Sequence, residues 1–155
     1  MLPFSQLDVS VPKPIGNGYT KNPQTIGNHL RNRRLTLKLE QTEASERIGV
    51  KYKTYITWET EGVVPHPRHF PKIIQFLGYN PIPIDTATVS GRIKACCTLK
   101  GVSKLKFSKH LGVDVRLLKR WEEGKTEPDQ RIKDEVEFMV WELTSSLNNF
   151  NTENP

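Results

Sequence analysis

The stretch LGVDVRLLKRWEEGK, residues 111–125, places three cationic side chains at helical spacing. Arg116, Lys119 and Arg120 are three or four positions apart, so a helix through this stretch would carry them on one face. An arginine guanidinium can donate two parallel hydrogen bonds to a guanine base. The spacing therefore favours a polyanionic partner.

The charge distribution of the 155-residue chain favours the same kind of partner. The formal net charge is +6, and residues 89–120 hold nine Lys or Arg but only one acid, Asp114. Residues 121–142 reverse the balance, with three bases and eight acids. We therefore expect one face or end of the second half to be strongly positive, which suits a polyanion but does not prove one.

Other function classes lack their sequence signatures. Cys96 and Cys97 are adjacent, without the spacing of a metal or redox site, so we expect a reduced pair in a helix with at least one thiol in the core. No Cys or acidic cluster joins His66 and His69. Since no nucleophile elbow, phosphate loop or motif with paired acids is found, the sequence predicts no metal, no cofactor and no enzyme.

The chain also lacks the features of a membrane or secreted protein. No apolar run approaches the roughly 20 residues that span a bilayer. The first 19 residues have no basic start followed by an apolar core, as a secretion signal would. We therefore expect a cytoplasmic protein that does not contact membranes.

An internal repeat relates the two halves of the chain at a constant offset of 63 residues. Trp58 corresponds to Trp121, and Gly49 to Gly112, and no gap is needed. The same register pairs Thr25 with Thr88, Ser45 with Ser108, Ile48 with Leu111, Glu59 with Glu122 and Pro65 with Pro128. The repeat predicts a first unit over residues 23–84 and a second unit over residues 85–147, preceded by a flexible arm (1–22) and followed by a disordered tail (148–155).

Each unit is expected to be all-α, with about five short helices. Thr25 and Thr88 are suitable N-caps for the first helix of each unit, and Gly49 and Gly112 are expected to end the second. Ser103 and Asp114 are good caps in the second unit, whereas Glu40 and Lys51 at the matching positions are weaker. The last helix, about 129–147, has a wide apolar stripe that can pack on its own core or form a homodimer contact.

The segments LEQTEASERIGVKYKTYITWE (39–59) and VSKLKFSKHLGVDVRLLKRWE (102–122) resemble the lambda-repressor-like, Cro/Xre-type helix-turn-helix family. The resemblance covers both units, about four-fifths of the chain. The first segment keeps Gln41 and Glu43 at the start of the second helix, where the second segment has Lys104 and Lys106. Ile56 departs from the pattern, because a small polar residue is usual there.

The resemblance implies that the third helix of each unit lies in the major groove of DNA and that the second helix crosses the backbone. At the matching positions, the residues expected to face DNA are Lys51, Tyr52, Lys53, Ile56 and Thr57 in the first unit, and Asp114, Val115, Arg116, Lys119 and Arg120 in the second. Gln41 and Lys104 are expected to meet phosphates. For Asp114, a helix cap is favoured over an acceptor from cytosine.

Two hypotheses follow. The first is a tandem helix-turn-helix protein that binds double-stranded DNA sequence-specifically, as a bacterial or phage transcriptional regulator. The second is a protein-interaction module, antitoxin-like or a scaffold, built on the same fold without specific DNA contact. Ile56 and the apolar last helix favour the second hypothesis slightly, and the salt dependence of DNA binding distinguishes the two.

Overall fold

The computed structural model describes residues 18–150 of the chain, with side chains through residue 147. Within that range it contains eight α-helices, a 3-10 turn and no strand, which confirms the all-α prediction. The helices are α1 (Ile26–Thr36), α2 (Gln41–Ile48), α3 (Tyr52–Thr60), α4 (Phe70–Leu77), α5 (Val89–Lys100), α6 (Lys104–Leu111), α7 (Val115–Glu122) and α8 (Gln130–Phe150), and the 3-10 turn spans Pro67–His69.

The helix starts follow the caps that the sequence predicts. The Thr25 and Thr88 hydroxyls each accept from the backbone N–H three residues later, at 3.1 and 3.0 Å. Ser103 does the same at the start of α6, at 3.2 Å. At the start of α2 the backbone N–H of Glu40 donates to the Glu43 carboxylate at 2.7 Å, so this end is better satisfied than Glu40 alone suggests.

The helix starts also repeat at the offset found in the sequence. Helices α1, α2 and α3 begin at residues 26, 41 and 52, and α5, α6 and α7 begin at residues 89, 104 and 115. Each pair differs by 63 residues. The duplicated pattern of caps and glycines therefore produces a duplicated order of helices.

The prediction of about five helices per unit is wrong, because each unit has four α-helices within the described range. Between α3 and α4, Pro65 and Pro67 lack a backbone N–H, and only the 3-10 turn forms there. Between α7 and α8, Gly124 adopts a positive φ of 67° and Pro128 is buried. The proline-containing segments are therefore turns rather than further helices.

Two separate hydrophobic cores lie within the described residues. The first surrounds Leu30, Tyr55 and Trp58 and draws only on residues of the first unit. The second core draws only on residues of the second unit. Its buried members are Ile93, Ala95, Cys96, Cys97, Phe107, Leu111, Leu118, Trp121, Ile132, Val136, Met139 and Val140. Ile82 packs on the first core and Ile84 on the second, so the change from one core to the other falls at residues 82–84.

The two units are in direct contact through α5, which packs on α4 and on the 3-10 turn. Ile74 of α4 and Leu99 of α5 are buried although they belong to neither core. At the end of α5, a Cβ on Gly101 would lie 2.7 Å from Pro71 Cδ and 3.0 Å from the Pro67 carbonyl oxygen. A side chain at Gly101 would therefore push the units apart.

Both ends of the described range differ from the predicted arm and tail. Thr20 exchanges two hydrogen bonds with the buried Asn32 side chain, at 2.9 and 2.8 Å, so the end of the predicted flexible arm is anchored on α1. Helix α8 continues through Phe150, three residues into the predicted tail. Residues 1–17 and 151–155 of these two segments lie outside the described range.

Candidate nucleic-acid interface

The turn before α7 determines where that helix begins. Gly112 ends α6 with φ 69°, a left-handed conformation that glycine adopts without steric cost. The backbone N–H of Val113 donates to the Ser108 carbonyl at 2.9 Å, and Val113 packs against the second core. A three-residue turn of defined geometry therefore joins α6 to α7, with Asp114 as the N-cap of α7.

Helix α7 has one buried face and one exposed face. Leu118 is fully buried and Trp121 is 5% exposed, so these two side chains anchor the helix in the second core. Arg116, Lys119 and Arg120 are all exposed, and the Arg116 side chain is 89% accessible. The structure therefore brings the three predicted cations together on the solvent side of α7.

Asp114 caps α7, which confirms the favoured interpretation of this residue. Its carboxylate accepts from the Arg116 backbone N–H at 2.7 Å and from the Arg116 Nε at 3.1 Å. The guanidinium first, and then the backbone N–H, hold the pKa of the Asp114 carboxyl below its ordinary value. Because this ion pair is exposed, it contributes little stability, and the Arg116 guanidinium can exchange it for another acceptor.

Helix α3, at the matching place in the first unit, presents a different surface. Tyr55 and Trp58 are buried in the first core. The predicted residues at the start of the helix, Lys51, Tyr52 and Lys53, are exposed. Further along, Ile56 and Thr57 are half-buried, and they stand where α7 carries Lys119 and Arg120. The matching position to Tyr52 in α7 is Val115, which is also half-buried.

The Thr57 hydroxyl is engaged within its own helix. Its Oγ1 donates to the Thr54 carbonyl oxygen at 2.8 Å. This bond uses the only proton that the side chain can donate. Thr57 therefore offers its methyl group, more than its hydroxyl proton, to a partner.

The two predicted phosphate contacts, Gln41 and Lys104, both bind a buried glutamate. Gln41 Nε2 donates to Glu59 Oε1 at 3.1 Å. Lys104 Nζ forms an ion pair with the Glu122 carboxylate, which is 6% exposed, while the Lys104 side chain itself stays 52% exposed. Each of these residues therefore stabilises the junction between the second and third helices of its unit.

Glu59 has a second and stronger partner, Arg34 of α1. The Arg34 Nε and Nη2 donate to the two Glu59 carboxylate oxygens at 2.9 and 2.6 Å. Burial alone would raise the pKa of the Glu59 carboxyl, but the hydrogen bonds that it accepts, from Arg34 first, and the Arg34 charge together lower it. The sequence analysis did not predict this ion pair. The signal that could have indicated it is the glutamate that follows each of the two repeated tryptophans, Trp58 and Trp121.

The basic run of α1 is thus occupied by structural contacts. Arg34 holds Glu59, and Arg33 Nε donates to the Phe76 carbonyl at 3.1 Å. Arg31 is half-buried, and a Cβ on Gly18 would lie 2.5 Å from its Nη2. Arg33 and Arg34 therefore attach α1 to its neighbours.

The described residues hold no group of three His, Cys, Asp or Glu side chains that could bind a metal ion. Cys96 and Cys97 are both buried free thiols, as predicted for a reduced pair in a helix. Burial raises the pKa of Cys96 to about 11 and that of Cys97 to about 12. At neutral pH both side chains are therefore protonated and behave as small apolar groups.

An apolar cleft of about 250 Å³ lies between α4 and the end of α8. Among the described residues its lining comprises Pro71, Ile74, Gln75, Gly78 and Leu147, and of these only Gln75 has a polar side chain. These described lining residues therefore supply no acid, base or nucleophile.

Among the described residues, no helix combines the length and the apolar character needed to cross a membrane. No family model matches the sequence, and no solved structure matches the chain at a significant level. Arguments about function therefore depend on the residues and their geometry.

Proposed function

We propose that the chain binds double-stranded DNA sequence-specifically through two tandem lambda-repressor-like helix-turn-helix domains, as a bacterial or phage transcriptional regulator without enzymatic activity or cofactor. The observation that carries the proposal is the division of α7 into two faces. Leu118 and Trp121 fix the helix in the core, while Arg116, Lys119 and Arg120 project together into solvent. A rigid helix with a cationic outer face is suited to the major groove.

The turn geometry supports the same proposal. In both units a short helix ends at a glycine in the left-handed conformation, and the next helix begins three residues later. The backbone N–H after each glycine, of Val50 and Val113, donates to a buried serine carbonyl, at 3.0 and 2.9 Å. This arrangement holds the exposed face of α3 or α7 at a defined angle to the helix before it.

Gln41 and Lys104 take a modified role in the proposal. Their hydrogen bond and ion pair with Glu59 and Glu122 hold the second helix against the third. Lys104 is half-exposed and carries three N–H donors, so it can approach a phosphate while it neutralises Glu122. Both residues therefore remain in the proposed interface as supports for α3 and α7.

The experiment that tests the proposal compares two double variants that remove the same charge. Arg116→Ala with Arg120→Ala should weaken duplex binding at least tenfold, because each arginine contact to a base contributes about 1–3 kcal/mol. Arg131→Ala with Lys133→Ala, on α8, should change affinity little, since these side chains pair with Glu135 and Glu127 at the surface. Fluorescence anisotropy with a labelled duplex measures both affinities.

Thermal unfolding is the control for this experiment. Arg116 and Arg120 are exposed, so their replacement should leave the unfolding temperature nearly unchanged. If the α7 variant bound DNA as tightly as the original chain, or if both variants lost affinity equally, α7 would not be the DNA-binding helix.

One observation favours the alternative function, a protein-interaction module. Phe138 and Trp141 of α8 are 61% and 63% exposed, and their rings lie side by side with centroids 6.0 Å apart. Exposed aromatic pairs are typical of contact surfaces between proteins. In a DNA-binding protein the same pair can serve a homodimer contact, whereas a module without DNA contact would bind no duplex at any salt concentration.

A further inference from the structure

Helices α3 and α7 both carry a cation near the start but differ in charge at their later outward positions. In α3 the cations are Lys51 and Lys53, at the start of the helix, and the later outward positions are Ile56 and Thr57. In α7 the start carries Asp114, Val115 and the exposed Arg116, which matches Lys53, and the later positions are Lys119 and Arg120. Although the helices occupy matching places in the two units, their later outward positions cannot make the same contacts.

The later part of α3 has little capacity to bond to guanine. Ile56 has no polar side-chain atom, and the Thr57 hydroxyl proton is already donated to the Thr54 carbonyl at 2.8 Å. Tyr52, four residues before Ile56 and therefore on the same side of the helix, adds a ring that is 50% exposed. The base feature that complements methyl groups and an aromatic ring in the major groove is the C5-methyl of thymine.

The exposed side of α7, in contrast, can donate hydrogen bonds to guanine. Arg116 and Arg120 are four residues apart, so their guanidinium groups share one side of the helix. Each planar fork of N–H donors matches the O6 and N7 acceptors of guanine. Asp114, the ion-pair partner of Arg116, is also exposed. Another hydrogen-bond acceptor can therefore take its place beside the Arg116 guanidinium.

We infer, on the basis of the proposed DNA-binding function, that the two units recognise different bases. Helix α3 contacts thymine methyl groups through Tyr52, Ile56 and Thr57, and helix α7 contacts guanines through Arg116 and Arg120. One chain therefore binds an asymmetric duplex site, with a thymine-bearing segment and a guanine-bearing segment, instead of two copies of one half-site.

The test begins with selection of bound duplexes from a random pool, and then alters single atoms in the selected site. Replacing thymine by uracil in the thymine-bearing segment removes only the C5-methyl groups and should weaken binding about fourfold for each contacted methyl. Replacing guanine by 7-deazaguanine in the other segment removes N7 and should weaken binding about tenfold.

Variants of each unit connect the two substitutions to their helices. Ile56→Ala should abolish much of the penalty for uracil and leave the penalty for 7-deazaguanine unchanged, while Arg120→Ala should do the reverse. Because Ile56 is half-buried and its replacement also affects the stability of the first unit, Thr57→Ser provides a second test. It removes one methyl group and keeps the hydroxyl that bonds to Thr54.

The outcomes separate this inference from the proposed function. If no duplex is selected and no duplex binds, both are overturned. If a duplex binds but the selected site contains two identical half-sites, or uracil has no effect, DNA binding stands and the division of labour between α3 and α7 is wrong.

Discussion

A buried glutamate in each unit is neutralised by a different cation. Glu59 is held by Arg34 of α1, whereas Glu122 is held by Lys104 of α6. The residue at the Arg34 position in the second unit is Cys97, which is uncharged and buried. The positive partner has therefore moved from the first helix to the second, where it also borders the proposed DNA-binding surface.

This difference predicts how the second unit responds to substitution. Lys104→Gln should destabilise the second unit by roughly 1–3 kcal/mol, because it leaves the Glu122 carboxylate buried without a cation. Adding Cys97→Arg to that variant should recover part of the loss, since it recreates the arrangement that Arg34 and Gln41 form around Glu59. Urea denaturation measures both changes.

Lys106→Gln is the matched control, because Lys106 is an exposed lysine two residues along the same helix. Its replacement should leave the urea midpoint nearly unchanged. Equal stability of the Lys104 and Lys106 variants would show that Glu122 does not depend on the ion pair.

At the scale of the helices, the sequence predicted best where a cap and a glycine frame an element. Helices α2 and α6 begin and end where expected, because Gly49 and Gly112 stop them in the left-handed conformation. The end of α8 was predicted too early, since the polar residues after Leu147 contain no glycine or proline that would stop a helix before residue 150.

Gly101 makes a contact that local sequence patterns do not predict. Its left-handed conformation at the end of α5 is readable from sequence, but its approach to Pro71 and Pro67 is a contact between the two units. Such contacts have no periodicity along the chain. The cations around Glu59 and Glu122 were missed for the same reason, as they come from other helices.

The contact between the units makes a specific prediction for Gly101→Ala. This change should destabilise the protein by roughly 1–3 kcal/mol more than Gly112→Ala, because overpacking adds to the backbone strain that both changes share. Gly112 is a suitable reference, since it has φ 69° and a Cβ there meets no atom within 4 Å. Equal thermal shifts in the two variants would contradict direct packing of the units at Gly101.

At the scale of the whole molecule, two small cores and one contact between them account for the described fold. The sequence predicts a division into two units because tryptophan, glycine and core positions recur at one offset. It could not predict which outer surface of α8 stays uncovered. In the structure Ile132, Val136 and Met139 face the second core, and Phe138 and Trp141 remain exposed.

The exposed aromatic pair predicts self-association through α8. Sedimentation velocity over a concentration series should show a dimer that disappears when Phe138 and Trp141 are both replaced by Glu. Leu105→Glu, at a 53% exposed apolar residue of α6, should leave the dimer intact. A chain that sediments as a monomer at every concentration would remove α8 as a homodimer contact.

The central claim is that the cationic face of α7 and its counterpart in the first unit bind DNA. The salt dependence of duplex binding tests this claim most directly. The logarithm of the association constant should fall linearly with the logarithm of the salt concentration, with a slope of about −0.9 for each phosphate neutralised. Binding that is absent at low salt, or that stays constant as salt rises, would contradict the claim.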